Sequence, residues 1–299
     1  MTNDVLNQAD FDLILGTRYD NGADYWATPD GRLGIEKPIS TLTALMIMSE
    51  LKVPSDHEAL QGAAELVLAA FRDDGRVRIA PKGAIYPCHT AHAVTGLCRN
   101  GYSSDPRVQA GLDYLFSDRY TDGGWRCNKF LFGRGPETDA SNPGVTLLVL
   151  DAFRLAATPK RIAELDRAVE TLLDHWTVKT PVGPCHYGMG SLFMQVEYPF
   201  LRYNLFYYVY VLSFYEKARQ DERFKAALSV LKQKLDSQGS IIVERPNRKL
   251  SQLEICKKGK PSKAATKRYF EIVQNIESKN QDHPIGRSWL TKSSKYCAI

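Results

Sequence analysis

No stretch of this 299-residue chain could cross a bilayer as a helix. The longest apolar run, Leu205–Leu212 extended to Tyr215 through Ser213, falls far short of the ~20 residues required. The opening MTNDVLNQADFD is acidic and lacks the apolar centre of a signal peptide, so the expected location is cytoplasmic. A phosphate-cradling P-loop, a dinucleotide glycine fingerprint and an HExxH zinc helix are also missing. Cysteine is sparse. Six in a chain of this size and compartment do not make a disulfide framework, which leaves burial, catalysis or metal binding. Cys297 stands third from the end, where a prenylation box would need it fourth.

Excess charge of one sign is absent from most of the chain. Residues 1–243 carry 26 basic and 29 acidic side chains, whereas residues 244–299 carry 13 and 5. A uniformly basic coat is excluded, and no specific nucleic-acid binding is expected. The basic stretch Lys257-Lys258-Gly259-Lys260-Pro261-Ser262 precedes a helical pattern, where it is either a solvated face or a seat for an anion such as a phosphate. At 43% hydrophobic and 24% charged residues the composition is that of an ordinary globular protein.

What the chain does have is repetition. Turn signals recur around Gly31, Gly75, Gly124, Gly183 and Gly239, at steps of 44, 49, 59 and 56 residues. Glycine supplies the positive φ of a tight reversal, and a β-branched or aromatic residue often follows, so each reads as a turn with a short extended piece. Amphipathic helices are predicted before the later turns, over 57–71, 106–116, 160–176 and 221–235. More apolar helices are predicted after them, over 40–51, 90–98, 144–156, 203–215 and 262–276. Ser40, Asn142-Pro143 and Ser262 are natural helix starts. A wet helix alternating with a dry one suits an inner ring of helices wrapped by an outer ring, because no single pair buries its own apolar face. The fold class expected is therefore all-α, an (α/α) toroid of about five helical pairs with short extended pieces in the linkers. One domain over residues 1–276 carries it, and residues 277–299 form an extension.

The period and the Asp122-Gly123-Gly124-Trp125 turn resemble the repeats of the squalene cyclase and protein prenyltransferase (terpenoid cyclase) superfamily. That resemblance implies an enzyme with a deep apolar central cavity and an apolar, isoprenoid-like small-molecule substrate. Trp125, Tyr203, Phe206, Tyr207 and Tyr210 are the candidates to line it, since aromatic faces suit isoprenoid chains and can steady cations; they serve equally well as core. Asp139 with Glu137, just before the helix over 144–156, loosely resembles the acidic motif by which squalene cyclases start cyclisation. The bland alternative is an acidic helix start favoured by the dipole.

Four cysteines, Cys88, Cys127, Cys185 and Cys256, fall in the linkers between an outer-type and an inner-type helix. A toroid would carry all four to one end, and thiolate with imidazole is what zinc prefers. Gly124-Trp125-Arg126-Cys127 and Cys185-His186-Tyr187-Gly188 also resemble the zinc motif of lanthipeptide cyclases. That resemblance implies a zinc cofactor held by Cys127, Cys185 and His186 that activates a thiol; Cys88 and Cys256 would widen the set. Simple burial of reduced thiols is the competing account. Three functions stay open: a terpenoid-type enzyme with or without zinc, a zinc-dependent thiol-activating cyclase, and a non-catalytic helical-repeat scaffold.

Overall fold

The computed structural model describes residues 5–34, 39–127, 139–156, 159–183, 185 and 187–277. Among them the chain is all-α. In order, the helices are α1 (Gln8–Gly16), α2 (Thr41–Leu51), α3 (Glu58–Ala69), α4 (Pro87–Arg99), α5 (Pro106–Ser117), α6 (Pro143–Ala156), α7 (Pro159–Ala163), α8 (Asp166–Val178), α9 (Leu205–Leu212), α10 (Glu216–Gln220), α11 (Glu222–Lys232) and α12 (Lys263–Glu277). The expected extension beyond Glu277 lies outside the described residues.

The dry helices are inside. Every residue of α9 is buried, and α2, α4 and α6 are buried on most sides. The wet helices show one covered face. In α8, Ala168, Val169, Leu172, Leu173 and Trp176 face in, while Asp166 and Asp174 face water. Each inner helix packs against the next, in the order α2, α4, α6, α9, α12, and α3, α5, α8 and α11 back their own inner partners. The last inner helix is tied to the first by Arg268 Nε on Glu50 Oε2, 2.8 Å.

The repetition reaches atomic detail. In four turns the same pair of backbone bonds recurs: Gly31, Gly75, Gly123 and Gly239 donate to Thr28, Arg72, Tyr120 and Asp236, which in turn donate to Arg32, Arg76, Gly124 and Ser240. All four glycines hold a positive φ, between 76° and 94°. In the third turn that residue is Gly123, one before the glycine marked by sequence. Gly124 is required for space instead, since a Cβ there would come within 2.7 Å of Ser141 and Thr146. A second device follows three of the turns. The first extended residue donates its N–H to a threonine in the first turn of the next inner helix: Val77 to Thr90 at 3.0 Å, Trp125 to Thr146 at 3.1 Å, and Ile241 to Thr266 at 2.9 Å.

The helix starts read from sequence act as caps: Ser40 accepts from Thr43 N–H, Asn142 from Val145 N–H and Ser262 from Ala265 N–H. Two local readings change. The single helix expected over 160–176 is broken into α7 and α8. Helix α1 was not expected, because its apolar face is thin. It is fixed by Asp10, whose buried carboxylate accepts the N–H groups of Glu254 and Ile255 at 2.7 and 2.9 Å.

Candidate functional site

Sulfur collects at one end of the inner helices. Pro87 opens α4, where a missing N–H costs nothing, and it places Cys88 in the first turn. Cys127 follows the third turn, two residues past Trp125, and Cys185 lies in the hairpin that pairs Val182 with Tyr187. The Cys185 thiol donates to Cys127 Sγ at 3.9 Å, and Cys88 hydrogen-bonds to Cys127 as well. Cys127 is buried, Cys88 half-buried and Cys185 exposed, and none of the five described cysteines is in a disulfide. That hydrogen bond, with burial behind it, pushes the Cys88 thiol far above the usual range. Cys185 holds φ 75°, a left-handed conformation uncommon outside glycine. Beside the sulfurs stands Tyr187, which sequence reasoning passed over. Burial, then the charges of Cys185, Cys88 and Cys127, raise its phenol pKa, and its ring lies where a Cβ on Gly144 would meet it at 3.1 Å.

The remaining predicted residues are dispersed. Cys256 is fully buried away from the rim company; its thiol donates to Leu250 O at 2.8 Å, and its charged neighbours are Asp10 and Glu197. His186 and Glu137 lie outside the described residues. Asp139 sits near the surface, 40% exposed, 3.5 Å from Arg126. At that exposure it is not the deeply buried carboxyl that protonation of an alkene needs. Among the described residues no group of three or more His, Cys, Asp or Glu forms a ready-made metal site.

At the other end of the inner helices the centre of the ring is charged. Glu50 of α2 accepts from Arg99 Nη1 at 2.6 Å, Arg268 Nε at 2.8 Å and the Tyr198 hydroxyl at 2.6 Å. Asp151 of α6 accepts from Arg99, from Arg154 Nε at 2.6 Å and from the Tyr207 hydroxyl at 2.8 Å. Tyr210 donates to Glu271 Oε2 at 2.8 Å, and Arg268 reaches Glu271 at 2.9 Å. Burial alone would raise the Asp151 pKa. Arg154 and Arg99 more than reverse that, and the carboxyl falls to about 2. Glu50 is lowered against the same burial by Arg268 and Arg99.

This corrects the expected apolar cavity. Tyr207 and Tyr210 spend their hydroxyls on buried ions and are 3% and 1% exposed, so they do not line an open space. Phe206 packs on Phe200 with ring centroids 4.9 Å apart. Tyr203 bonds His175 Nδ1 at 2.9 Å. Trp125 is fully buried, with its indole N–H on Leu115 O at 2.6 Å. The sequence signal for the charged centre was there to be used in part: Glu50, Arg99, Asp151 and Arg154 are the odd charges in otherwise dry helices, whereas Arg268 is one of several charges in α12.

No family model matches the chain, and no curated protein matches it. Among solved structures it is similar to the type II terpene cyclase MstE from Scytonema, with 15% identity over 90% of this chain and 72% of that one, at a TM-score of 0.46. An MstE variant in complex with its substrate, geranylgeranyl dihydroxybenzoate, gives 15% identity over 91% and 78%, at a TM-score of 0.45. A protein from Actinoplanes gives 12% over 90% and 99%, at a TM-score of 0.35. At these values no residue role passes to this chain. Among the described residues no helix is long and apolar enough to cross a membrane.

Proposed function

We propose that the working centre of this protein is the cysteine rim, that it holds zinc, and that the helical ring serves as its frame. The observation that carries this reading is the contact between Cys127 and Cys185, 58 residues apart in sequence, whose sulfurs lie 3.9 Å apart. Thiolates ~2.3 Å from a tetrahedral zinc stand ~3.8 Å from each other, so the pair already has the spacing of two ligands. Cys88 is the third donor, bonded to the same Cys127 sulfur. Soft thiolate donors select zinc over harder divalent ions. His186, adjacent to Cys185, is the fourth candidate by sequence. Bound there, zinc supplies Lewis-acid or thiol-activating chemistry. What the chain itself contributes is a buried sulfur floor at Cys127, an exposed sulfur at Cys185 and the Tyr187 ring beside them.

An isoprenoid substrate of the kind MstE binds is less well served. It needs an apolar hollow, and the ring centre here is occupied by ions and hydroxyls. The filled centre favours a scaffold as the second reading.

Metal analysis of purified protein decides between the two. The expected result is about one zinc per chain, lost in Cys127→Ala and in Cys88→Ala but retained in Cys256→Ala. Less than about 0.2 equivalents in the parent, unchanged in Cys127→Ala, overturns the zinc centre and leaves the scaffold.

A further inference from the structure

We infer that Cys185 and Cys127 form a peroxide-responsive thiol pair, with Cys185 the site of oxidation and Cys127 the resolving thiol. The inference names a regulation of the rim proposed above. Its chemistry needs only the two sulfurs and does not depend on a metal being present.

Three observations carry it. The sulfurs are in contact at 3.9 Å without being bonded. A disulfide needs them at ~2.05 Å, so the approach is smaller than a change of side-chain rotamer supplies. Exposure divides the labour, because Cys185 is open to solvent while Cys127 is 2% exposed and out of reach of an oxidant. Finally, the two cysteines belong to different repeats, Cys127 between the third turn and α6 and Cys185 in the hairpin after α8. A bond between them therefore staples two neighbouring linkers across the rim.

The oxidant is a hydroperoxide, with hydrogen peroxide the simplest. The Cys185 sulfur attacks one peroxide oxygen, the O–O bond breaks, and the leaving hydroxide takes the Cys185 thiol proton as water, giving the sulfenic acid. The Cys127 sulfur then attacks the Cys185 sulfur, the S–O bond breaks, and the oxygen leaves as water with the thiol proton of Cys127. Peroxide is reduced to water by two electrons, and two thiols become one disulfide. A dithiol reductant reverses the step by exchange. Any metal held by these sulfurs is released as the bond forms.

The test treats the full chain with hydrogen peroxide, as purified and after chelation, and maps its peptides by mass spectrometry. Metal content is measured on the same samples. The expected product is a Cys127–Cys185 crosslink lacking two hydrogens, reversed by dithiothreitol. It is abolished in Cys185→Ser, which changes an exposed residue and whose fold is checked by circular dichroism. It persists in Cys88→Ser. Sulfinic acid at Cys185 with Cys127 still a thiol, or a Cys88–Cys127 crosslink instead, overturns the inference. The two proposals fail separately. A crosslink in protein that never held zinc keeps the thiol pair and removes the metal centre. A zinc-loaded protein whose thiols stay uncrosslinked after chelation keeps the metal centre and removes the pair.

Discussion

Asp151 shows how much one side chain decides in this molecule. It is fully buried in an apolar helix and answers two guanidiniums and a tyrosine at once. Taking a carboxylate out of water costs several kcal/mol unless such partners are present, and removing one member leaves the others exposed to the same penalty. Asp151→Asn should therefore destabilise the fold by about 3 kcal/mol, read as a lower urea midpoint at unchanged slope. Sequence made these charges visible but not their direction. An isolated Glu or Arg in a dry helix fits a rim or a centre equally well, and a tyrosine ring gives no hint of what its hydroxyl meets. The cysteines were more legible because each lies in a linker between an outer-type and an inner-type helix, which the repeat assigns to one end. Cys256 escaped that logic because the 3₁₀ turn Glu254–Cys256 draws its thiol onto local carbonyls.

At the scale of elements, the repeated unit is a turn, an extended residue and a helix locked together by a threonine. Thr90, Thr146 and Thr266 do the same work in three repeats, each accepting a backbone N–H beside the turn. Valine has nearly the shape of threonine but no acceptor. Thr146→Val should strand the buried Trp125 N–H and cost about 1–3 kcal/mol, with Thr90→Val falling in the same range. Hydrogen exchange at Trp125 and Val77 checks that the loss is local. Helices with strong period, a cap and a following glycine were readable within a few residues. The exceptions have physical causes. Helix α1 owes its place to Asp10 reaching a segment some 244 residues away, and the α7–α8 break interrupts a periodicity that continues across it.

The whole molecule is held shut from the inside. Glu50 takes Arg99 from the neighbouring inner helix and Arg268 from the last one, so the same carboxylate serves packing and closure. This makes stability sensitive to acid in a definite direction. Glu50 and Asp151 have folded pKa values below their unfolded 4.5 and 3.8, the latter at about 2. Their contribution is complete above the unfolded values and is lost as pH falls toward the folded ones. The urea midpoint should drop between pH ~4.5 and ~2, and Asp151→Asn should flatten that limb. An unchanged slope in the variant would show that other carboxylates govern it.

Helices α4 and α6 match end for end: Cys88 in the first turn of α4 meets Cys127, two residues past the Trp125 that bonds the first turn of α6, and Arg99 meets Asp151 toward their finishes. The two helices therefore run side by side in the same direction, and α2 joins them through Glu50 in its last turn. Peptide dipoles so aligned add instead of cancelling, and each helix beginning carries about half a positive charge. The inner ring is thereby polarised along its axis, while the outer helices, which carry the chain back between its ends, oppose it. Its electropositive pole is the rim that bears the sulfurs, where an anion is at home, and its electronegative pole is the end where the three buried guanidiniums lie.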